Sequence, residues 1–404
     1  MIGGGAAGMM AAGTAAERGL SVLLAEPNAK LGRKLRITGK GRCNLTNDTG
    51  VREIIAAVPR NPKFLYSALT AFPPPEVMAF FEGLGVPLKT ERGRRVFPVS
   101  DNANDVADAL VAWLRGSGVR VMNNRVQSVV TDENGAVSGV QTDKGVIPCE
   151  YVIVCTGGIS YPKTGSTGDG YAMALAAGHR VVEPRASLVP LVSPDAFCPA
   201  LAGFSPRNVT LTLWENDKNI FSEQGEMLFS HFGVTGPLVL SASAHIRDFE
   251  KNRYRLTIDF KPALTGEMLD ARILRDFEKY KNRDLANALS DLAPRSMIPV
   301  LIDLSGIPAD TKVHSVTRQQ RMALIELFKA FPVRISGTRP IDEAIVTRGG
   351  VDVKQIDPRT MASKLRSGLY FAGEVLDVDA YTGGYNLQIA WSTGRCAGKA
   401  VGKD

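Results

Sequence analysis

Three glycines near the start of the chain have the spacing of a turn that binds a pyrophosphate. Gly3, Gly5 and Gly8 lie in the run MIGGGAAGMMAAGTAAERGLSVLLAE, where a helical pattern and an apolar strand follow and Glu26 comes last. Glycines let the backbone approach phosphate oxygens, a helix N-terminus favours negative charge, and an acid about 20 residues further on accepts ribose hydroxyls. The run therefore predicts a site for an adenine dinucleotide, with a chance glycine turn as the competing interpretation.

A second glycine-rich segment, LGRKLRITGKGRCNLTN, carries cations as well. Gly32, Gly39 and Gly41 stand among five lysines and arginines, which suits a loop that wraps a phosphate-bearing ligand. A basic surface loop is the alternative. Cys43 belongs to the same segment and could lie near a reactive ring, but with no partner thiol nearby it reads better as a buried small residue.

Two further glycine turns follow apolar strands. VCTGG, residues 154–158, predicts a second approach of backbone to the dinucleotide, or else a simple tight turn. The segment LYFAGEVLDVDAYTGGYNLQIAW has acids at 374, 377 and 379 and then Gly383 and Gly384 directly before a helical pattern. A helix N-terminus at that place could stabilise negative charge on a reduced ring system, and an ordinary capped helix is the alternative.

Few side chains are candidates for proton transfer. The chain has four histidines, and His231 in the glycine-rich segment SHFGVTGP is the one that we consider as a general acid, because imidazole titrates near neutral pH. A structural histidine held by hydrogen bonds is the competing interpretation. Tyr161 and Tyr381 are further candidates, although aromatic packing explains each equally well. No metal-ligand or catalytic-triad spacing is present.

Composition sets wide limits on the class of protein. The chain has 404 residues, 44% of them hydrophobic and 22% charged, which is ordinary for a globular protein of two or three domains. No apolar run approaches the roughly 18 residues of a membrane span. The net charge of +7 is scattered, so a solvated surface is favoured over nucleic-acid binding. Five cysteines without a CxxC pair indicate a reducing compartment, and we expect a cytoplasmic protein.

Patterning predicts an α/β fold in which one domain interrupts another. Apolar spacing predicts a helix from Asn102 to Arg115 and a last helix from about Tyr385, and short alternating strands lie between 119 and 148. From about Ser187 antiparallel strands are predicted, and then helices. We therefore divide the chain into a nucleotide-binding domain of residues 1–186 and 343–404 and an inserted domain of residues 187–342, β-rich over 187–261 and 331–342 and helical over 262–330.

The first strand is short for a central position in a sheet. Only Met1 and Ile2 precede the glycine turn, whereas such a strand needs about five residues. We therefore expect that several native residues precede Met1. A signal peptide is the competing interpretation of this apolar start, but a basic n-region is missing and the segment continues into a usable βαβ unit.

Taken in order, these segments resemble one bacterial family. The glycine turn with Glu26, TGKGRCNLTN, TGGISYPKTGSTGDGY, SHFGVTGP and GLYFAGEVLDVDAYTGGYNLQIAWSTG are similar to the BaiN-like, or aminoacetone-oxidase-like, NAD(P)/FAD-dependent oxidoreductases over essentially the whole chain. The resemblance implies a glutathione-reductase-like FAD-binding Rossmann domain with an inserted domain, and noncovalent FAD.

The resemblance also implies which residues hold FAD. The ADP part would be held by Gly3, Gly5, Ala6, Ala7, Gly8 and Glu26, and the adenine would meet Val126. The remaining contacts, from the pyrophosphate to the flavin, would come from Lys34, Thr38, Gly39, Gly41, Arg42, Cys43, Asn44 and Asn47, from Thr156, Gly157 and Gly158, from Gly373, Glu374 and Asp377, and from Gly383, Gly384, Tyr385, Asn386 and Leu387 at the helix N-terminus beside the flavin ring.

These expectations combine into an FAD-dependent oxidoreductase that acts on a small organic substrate. Reduction of an activated double bond with electrons from NAD(P)H is the form we favour. Because no second GxGxxG in a βαβ context follows the first, NAD(P)H would dock transiently at the flavin, or an oxidase reaction would replace it. Two alternatives stay open, a flavoprotein that binds and modifies RNA and a non-catalytic flavin-binding regulator. The oligomeric state is not determined by the sequence.

Overall fold

A computed structural model describes residues 1–403. Its α-helices have these bounds: α1 Ala6–Glu17, α2 Arg33–Ile37, α3 Val51–Ala56, α4 Tyr66–Ala71, α5 Pro74–Gly83, α6 Ala103–Gly116, α7 Asp169–Ala176, α8 Phe197–Ala200, α9 Pro237–Ser243, α10 Gly266–Lys279, α11 Leu285–Ala288, α12 Ile298–Ser305, α13 Arg318–Lys329 and α14 Tyr385–Ala400. Within residues 1–403, no helix is both long enough and apolar enough to cross a bilayer.

The strands alternate with these helices in the first part of the chain and cluster in its middle. Their bounds are β1 Leu23–Ala25, β2 Thr46–Asn47, β3 Leu88–Glu91, β4 Arg95–Pro98, β5 Arg120–Met122, β6 Val126–Thr131, β7 Val137–Thr142, β8 Gly145–Pro148, β9 Val152–Val154, β10 Val181–Ser187, β11 Leu191–Val192, β12 Val209–Glu215, β13 Lys218–Gly225, β14 Leu228–Ser230, β15 Gly233–Thr235, β16 Tyr254–Asp259, β17 Phe331–Ile335, β18 Gly337–Thr338, β19 Val346–Val351 and β20 Leu369–Phe371.

The chain forms two compact units. The first consists of Met1–Ser187 and the chain from Pro340 onward, and the second is Leu188–Arg339. The first unit contains a parallel sheet in the order β5, β1, Ile2, β9, β20, in which Ile2 bridges Ala25 on one side and Val154 on the other. All of β9 and β20 is buried, as is typical of parallel strands that are covered on both faces.

The first and last helices of the first unit pack closely against each other. A Cβ added at Gly394 in α14 would lie 2.4 Å from the carbonyl oxygen of Ala7 in α1, and one at Gly398 would lie 2.6 Å from that of Ala11. Only residues without a side chain allow the two backbones to approach so closely. This contact fixes the N-terminus of α14 relative to the glycine turn that precedes α1.

Smaller antiparallel sheets complete the first unit. They have the orders β2–β4–β3, β6–β7–β8 and β10–β19. The sheet β2–β4–β3 joins the chain that follows α2 to the chain that precedes α6, with Thr46 opposite Val96 and Asn47 opposite Arg95. This pairing anchors the segment from Thr38 to Asn47 to strand β4.

The second unit is antiparallel and then helical along the chain. Its sheets have the orders β13–β12–β16–β17 and β14–β15–β11–β18. In β16 the buried residues Tyr254, Leu256 and Ile258 alternate with half-buried ones, which is the period of a strand with one face against a core. Helix α13 begins with a capping box between Thr317 and Gln320, which satisfies two backbone donors at its start.

Candidate functional site

The glycine turn follows Ile2 and leads directly into α1. Gly3 has φ of +101°, and a Cβ there would lie 2.6 Å from the carbonyl oxygen of Cys155 in the chain that follows β9, so glycine is required. A Cβ at Gly5, the N-cap of α1, would meet no atom within 4 Å. The first turn of α1 therefore opens onto free space at the carboxyl ends of β1 and β9, which is the geometry for a pyrophosphate.

Glu26 lies beside this turn, directly after β1. Its Oε2 accepts a hydrogen bond of 2.7 Å from the backbone N–H of Gly4. Its Oε1 accepts hydrogen bonds of 2.9 and 2.6 Å from the backbone and side-chain nitrogens of Asn28. The buried carboxylate is thus held in one orientation next to the glycines, where a ribose hydroxyl would donate to its remaining lone pairs. Val126, the expected adenine contact, is buried at the first position of β6.

Lys34 and Glu374 meet in a polar cluster that joins four segments. The Nζ of Lys34 donates hydrogen bonds to both oxygens of Glu374, at 3.0 and 2.8 Å, and to Oγ of Ser160 at 2.7 Å. Oε1 of Glu374 also accepts from Oγ of Ser160 at 3.1 Å and from the backbone N–H of Thr347 at 2.9 Å. Two of the expected cofactor residues are therefore brought together, along with two residues that sequence reasoning missed.

The missed residues had a weak signal in the sequence. Ser160 ends the glycine turn after β9, and its backbone N–H and that of Ile159 both donate to Oγ1 of Thr347. Thr347 stands in β19, a strand that is buried at every position. A hydroxyl in a buried strand needs a partner, so its presence indicated a polar contact without revealing which one. A Cβ at Gly158 would lie 2.3 Å from the same hydroxyl.

The basic segment of residues 31–47 directs most of its cations toward carboxylates of the protein. Arg42 pairs with Glu91 and Asp101, and its guanidinium lies 4.2 Å from the ring centre of Phe97. Arg36 pairs with Asp108. Most of the cations that were expected to wrap a phosphate are thus taken up by carboxylates of the protein. The side chain of Arg42 holds the loop in place through these contacts, and its role toward a cofactor stays a prediction.

The backbone of this segment is unusual in a way that fits a close ligand. Gly39, Lys40 and Cys43 all have φ near +60°, which side chains rarely adopt and which clusters at functional sites. Cys43 is fully buried, and burial raises the pKa of its thiol to about 12. The thiol is therefore protonated and unreactive at neutral pH, which supports packing rather than redox chemistry for this residue.

Strand β2 holds the N-terminus of α14. The Nδ2 of Asn47 donates to the carbonyl oxygen of Gly383 at 3.0 Å. The amide of Asn44, oriented so that both of its groups are satisfied, accepts from the N–H of Gly384 at 3.0 Å. Gly384 has φ of +100°, and a Cβ there would lie 2.3 Å from the carbonyl oxygen of Thr46. The two segments that the sequence assigned to the flavin side thus form one rigid junction.

Helix α14 is fixed further by its own first turn. Both side-chain groups of Asn386 bond to the backbone of Ala380, at 2.9 and 2.7 Å, and Nε1 of Trp391 donates to the carbonyl of Leu45 at 3.0 Å. The first N–H groups of any α-helix lack acceptors within the helix. Those of Asn386 and Leu387 are therefore the donors that this junction offers to a negatively charged group.

Two buried aspartates follow β20. Oδ2 of Asp377 accepts from Arg60 at 3.3 Å and from Asn61 at 3.0 Å, whereas its Oδ1 is buried without a hydrogen-bond partner among residues 1–403. Oδ2 of Asp379 accepts from Oγ of Ser187 at 2.6 Å, and burial raises the pKa of Asp379. Buried polar atoms normally have partners, so the open oxygen of Asp377 fits the expected hydroxyl of a cofactor.

Of the three proton-donor candidates, two belong to the first unit and one to the second. Tyr161, with φ of +52°, and Tyr381, whose N–H donates to the carbonyl of Ala57, are half-buried residues of the first unit. His231 belongs to the second unit, is exposed, and has its ring 5.1 Å from that of Phe232. Its Nδ1 is 3.4 Å from Oγ of Ser230. This weak contact does not support the interpretation of a histidine held structurally by hydrogen bonds.

Comparison with known proteins places this geometry in a family. The model of the family described as HI0933-like protein Rossmann domain matches residues 1–400. The chain belongs to this HI0933-like family. The resemblance that the motifs indicated is confirmed, and the HI0933-like chain is a flavoprotein oxidoreductase with a Rossmann-type FAD-binding domain in a mixed α/β fold.

Three relatives can be aligned with this chain over almost its whole length. The 3-dehydro-bile acid delta(4,6)-reductase of Clostridium scindens is 32% identical over 99% of this chain and 98% of its own length. The ribosomal RNA dihydrouridine synthase of Escherichia coli is 31% identical over 97% of this chain and 95% of its own length. An equally named protein of Haemophilus influenzae is 31% identical over 97% and 95%.

Solved structures share the fold of the HI0933-like chain at low identity. The 3-ketosteroid delta1-dehydrogenase of Sterolibacterium denitrificans has a TM-score of 0.51 at 14% identity and covers 98% of this chain and 97% of its own. The 3-ketosteroid-delta4-(5alpha)-dehydrogenase of Rhodococcus jostii RHA1 has a TM-score of 0.50 at 17% identity and covers 100% and 96%. These similarities concern the fold alone.

Proposed function

We propose that this flavoprotein reduces a carbon–carbon double bond conjugated to a carbonyl group in a small organic substrate. The observation that carries the proposal is a chemical feature common to two relatives. The names of the bile-acid reductase and of the dihydrouridine synthases both denote the saturation of a double bond next to a carbonyl. A reaction class that two such different substrates have in common is a better guide to this chain than either substrate.

The junction between β2 and α14 supports this chemistry. Bound FAD supplies the hydride equivalent. The protein must add hydrogen-bond donors where negative charge develops and a proton for the second carbon. The N-terminal amides of α14 are the donors that we assign to the negative charge. Tyr161, Tyr381 and His231 are the side chains that we propose for the proton.

The residues that we propose to hold FAD belong to the first unit, and their main role is to shape the site. Gly3 and Gly5 open the first turn of α1, Glu26 stands beside it, and Lys34 with Glu374 ties four of the surrounding segments together. Because these contacts are made within the protein, the site is largely formed before any cofactor binds.

NAD(P)H is the electron donor that we propose, and it would dock transiently at the place where the substrate later binds. The five cysteines are free thiols, which supports a reducing, cytoplasmic setting.

The experiment is anaerobic reoxidation of the reduced holoenzyme. The flavin is reduced photochemically, so that no donor has to be known, and is then mixed with a 3-oxo-4,6-diene steroid. We expect the oxidised flavin spectrum to return while the absorbance of the diene falls. The matched control is the saturated 3-oxo steroid, which lacks the double bonds. If the diene is as inert as this control, the proposed reaction with such small substrates is wrong.

A second candidate is reduction of a uracil base in RNA. It is favoured by two relatives at 31% identity that are named as ribosomal RNA dihydrouridine synthases. The same reduced enzyme is mixed with ribosomal RNA, and dihydrouridine is quantified in the digested RNA. Electrophoretic shift of the RNA at two salt concentrations gives an independent measure, because strand binding weakens steeply with salt. Product from RNA and none from the steroid would reverse our choice.

A further inference from the structure

The loop Arg92–Arg94 lies directly against the turn at the start of α14. The Nδ2 of Asn47 donates to the carbonyl oxygens of both Gly93 and Gly383, each at 3.0 Å. The backbone N–H of Asp48 donates to the carbonyl of Arg94 at 2.8 Å. One side-chain nitrogen therefore bridges an exposed arginine loop and the helix N-terminus at which we place the reaction.

The loop that contains Lys40 adjoins the arginine loop. Arg42 of that loop pairs with Glu91, the residue before Arg92, and Phe97 on β4 packs near Gly39. Arg42 and Lys89 are fully engaged by Glu91 and Asp101. These ion pairs hold the loop that contains Lys40 next to the loop Arg92–Arg94.

Three cations on the two loops have no carboxylate partner. Lys40, Arg92 and Arg94 are exposed, and within residues 1–403 none of them forms an ion pair. The guanidinium of Arg94 donates one long hydrogen bond, of 3.5 Å, to Oγ1 of Thr49. The carboxylate of Asp48, which follows β2, pairs with none of the three. We call Lys40, Arg92 and Arg94 the cationic rim.

Two residues of the cationic rim occupy costly backbone conformations. Lys40 has φ of +60° and Arg94 has φ of +57°. A residue with a side chain is strained in this region because its Cβ crowds the backbone, whereas glycine, or to a lesser degree asparagine, adopts it more readily. Lysine and arginine are therefore strained at these two turn positions. Glycine and asparagine would be less strained, but neither carries a positive charge.

We infer that the cationic rim binds an anionic group of the substrate while the double bond is reduced at the turn of α14. This inference rests on the proposed function and names the substrate class, a conjugated carbonyl compound that bears a carboxylate, phosphate or sulfate. Guanidinium groups match these planar or tetrahedral anions with two parallel hydrogen bonds. A rim of three charges suits one anionic group better than a nucleic-acid strand, which needs a longer basic surface with aromatic residues.

The test compares one acid with its uncharged ester. A 3-oxo-4,6-diene bile acid and its methyl ester are titrated into the oxidised holoenzyme by calorimetry, so that binding is measured without turnover. We expect the acid to bind more tightly than the ester, on the order of tenfold at low salt, as for two exposed ion pairs. The difference should shrink as salt is raised, because exposed charges are screened. Equal binding of the two compounds, or no binding of either, would overturn the inference.

Variants separate the rim from general charge effects. In the double variant Arg92→Ala, Arg94→Ala the ratio of the two dissociation constants should move toward one. The variant Arg94→Gly should act in the same direction without backbone strain, since glycine adopts positive φ. The control is the double variant Arg115→Ala, Arg120→Ala, which removes two exposed arginines from the end of α6 and from β5. An unchanged ratio in the rim variants, or an equal change in the control, contradicts the assignment.

Two further outcomes distinguish the alternatives. If a short uridine-rich oligonucleotide displaces the acid, and its binding weakens steeply with salt, the ligand of the rim is an RNA strand and not a single anionic group. If the acid binds through the rim but does not reoxidise the reduced flavin, the rim stands and the proposed reaction fails. Melting temperature and flavin content are recorded for each variant, so that loss of folding is not mistaken for loss of binding.

Discussion

Lys34 and Glu374 are 340 positions apart in the chain, yet Nζ of Lys34 lies 2.8 Å from Oε2 of Glu374. About a fifth of each side chain is exposed, 22% and 21%, so the pair is only partly screened by water. Ser160 and Thr347 bond to the same carboxylate. The pair thus connects the segment after β1, the turn after β9, strand β19 and the turn after β20.

A double-mutant cycle should reveal this coupling. Lys34→Met leaves Glu374 without its charged partner, and Glu374→Gln leaves Lys34 with an amide instead. We expect each single variant to lose FAD affinity and stability, and the double variant to lose less than the sum, with a coupling of about 0.5–3 kcal/mol. Urea unfolding and FAD titration measure the two quantities. Strict additivity would show that the contact does not couple the segments.

The cofactor itself is the next prediction. The protein purified under native conditions should be yellow and should release FAD rather than FMN on denaturation, because the glycine turn and Glu26 form a site for an adenine dinucleotide. Glu26→Gln should weaken FAD binding about tenfold or more, in the range for hydrogen bonds to a charged group. Glu133→Gln, in the exposed turn between β6 and β7, is the control. Release of FMN, or no flavin after reconstitution, contradicts the assignment.

A side chain at Gly384 should disturb the junction between β2 and α14. A Cβ at this position would lie 2.3 Å from the carbonyl oxygen of Thr46. Gly384→Ala should therefore cost the ordinary penalty of positive φ and about 1–3 kcal/mol more for overpacking. FAD affinity should fall, and the flavin potential should shift downward as the helix N-terminus moves.

Gly19→Ala is the matched control for that variant. Gly19 has φ of +88°, and a Cβ there would meet nothing within 4 Å. It therefore carries the strain of positive φ without the clash. If Gly384→Ala and Gly19→Ala reduce the melting temperature equally and leave FAD binding alone, the junction does not support the flavin site.

His231 gives a prediction about rate rather than stability. If it donates the proton, His231→Asn should slow flavin reoxidation by substrate by about a hundredfold or more. Because the side chain is exposed and has one long contact to Ser230, the melting temperature should stay within experimental error. His314→Asn, an exposed histidine elsewhere in the second unit, is the control. An undiminished rate removes His231 from the catalytic candidates and leaves Tyr161 and Tyr381.

Stability should fall in mild acid because of two histidines, one buried and one half-buried. Burial lowers the pKa of His179 and of His245, so the unfolded chain binds protons that the folded chain does not. The stability contributed by their neutral form is therefore complete above the ordinary histidine pKa of about 6.5 and is lost as the pH falls toward the lowered values.

His179→Gln tests this dependence in the first unit. Nε2 of His179 lies 2.8 Å from Oγ of Ser363, and a glutamine amide could replace this contact without titrating. Urea unfolding between about pH 8 and about pH 5 should show a smaller loss of stability for the variant than for the wild type. Identical slopes would mean that His179 does not contribute to the pH dependence.

The sequence alone determined the features that depend on neighbouring residues. The turn at Gly3, the carboxylate of Glu26 at a strand end and the start of α14 all follow from residue types within one or two turns of chain. The short spacing of glycines, apolar residues and caps leaves few other local conformations. For these elements the prediction needed no knowledge of the remaining fold.

Only the tertiary structure decided which side chains meet. Nothing in the run TGKGRCNLTN shows that Arg42 is occupied by Glu91 and Asp101, or that Asn47 reaches the carbonyl of Gly383. Likewise, Thr347 became part of the cluster around Glu374 only through the pairing of distant segments. A short polar side chain has several possible partners of equal chemistry, and the packing of sheets and helices selects one of them. The sequence could therefore predict where a cofactor site lies, whereas long-range packing determined which of the nearby charges are paired within the protein.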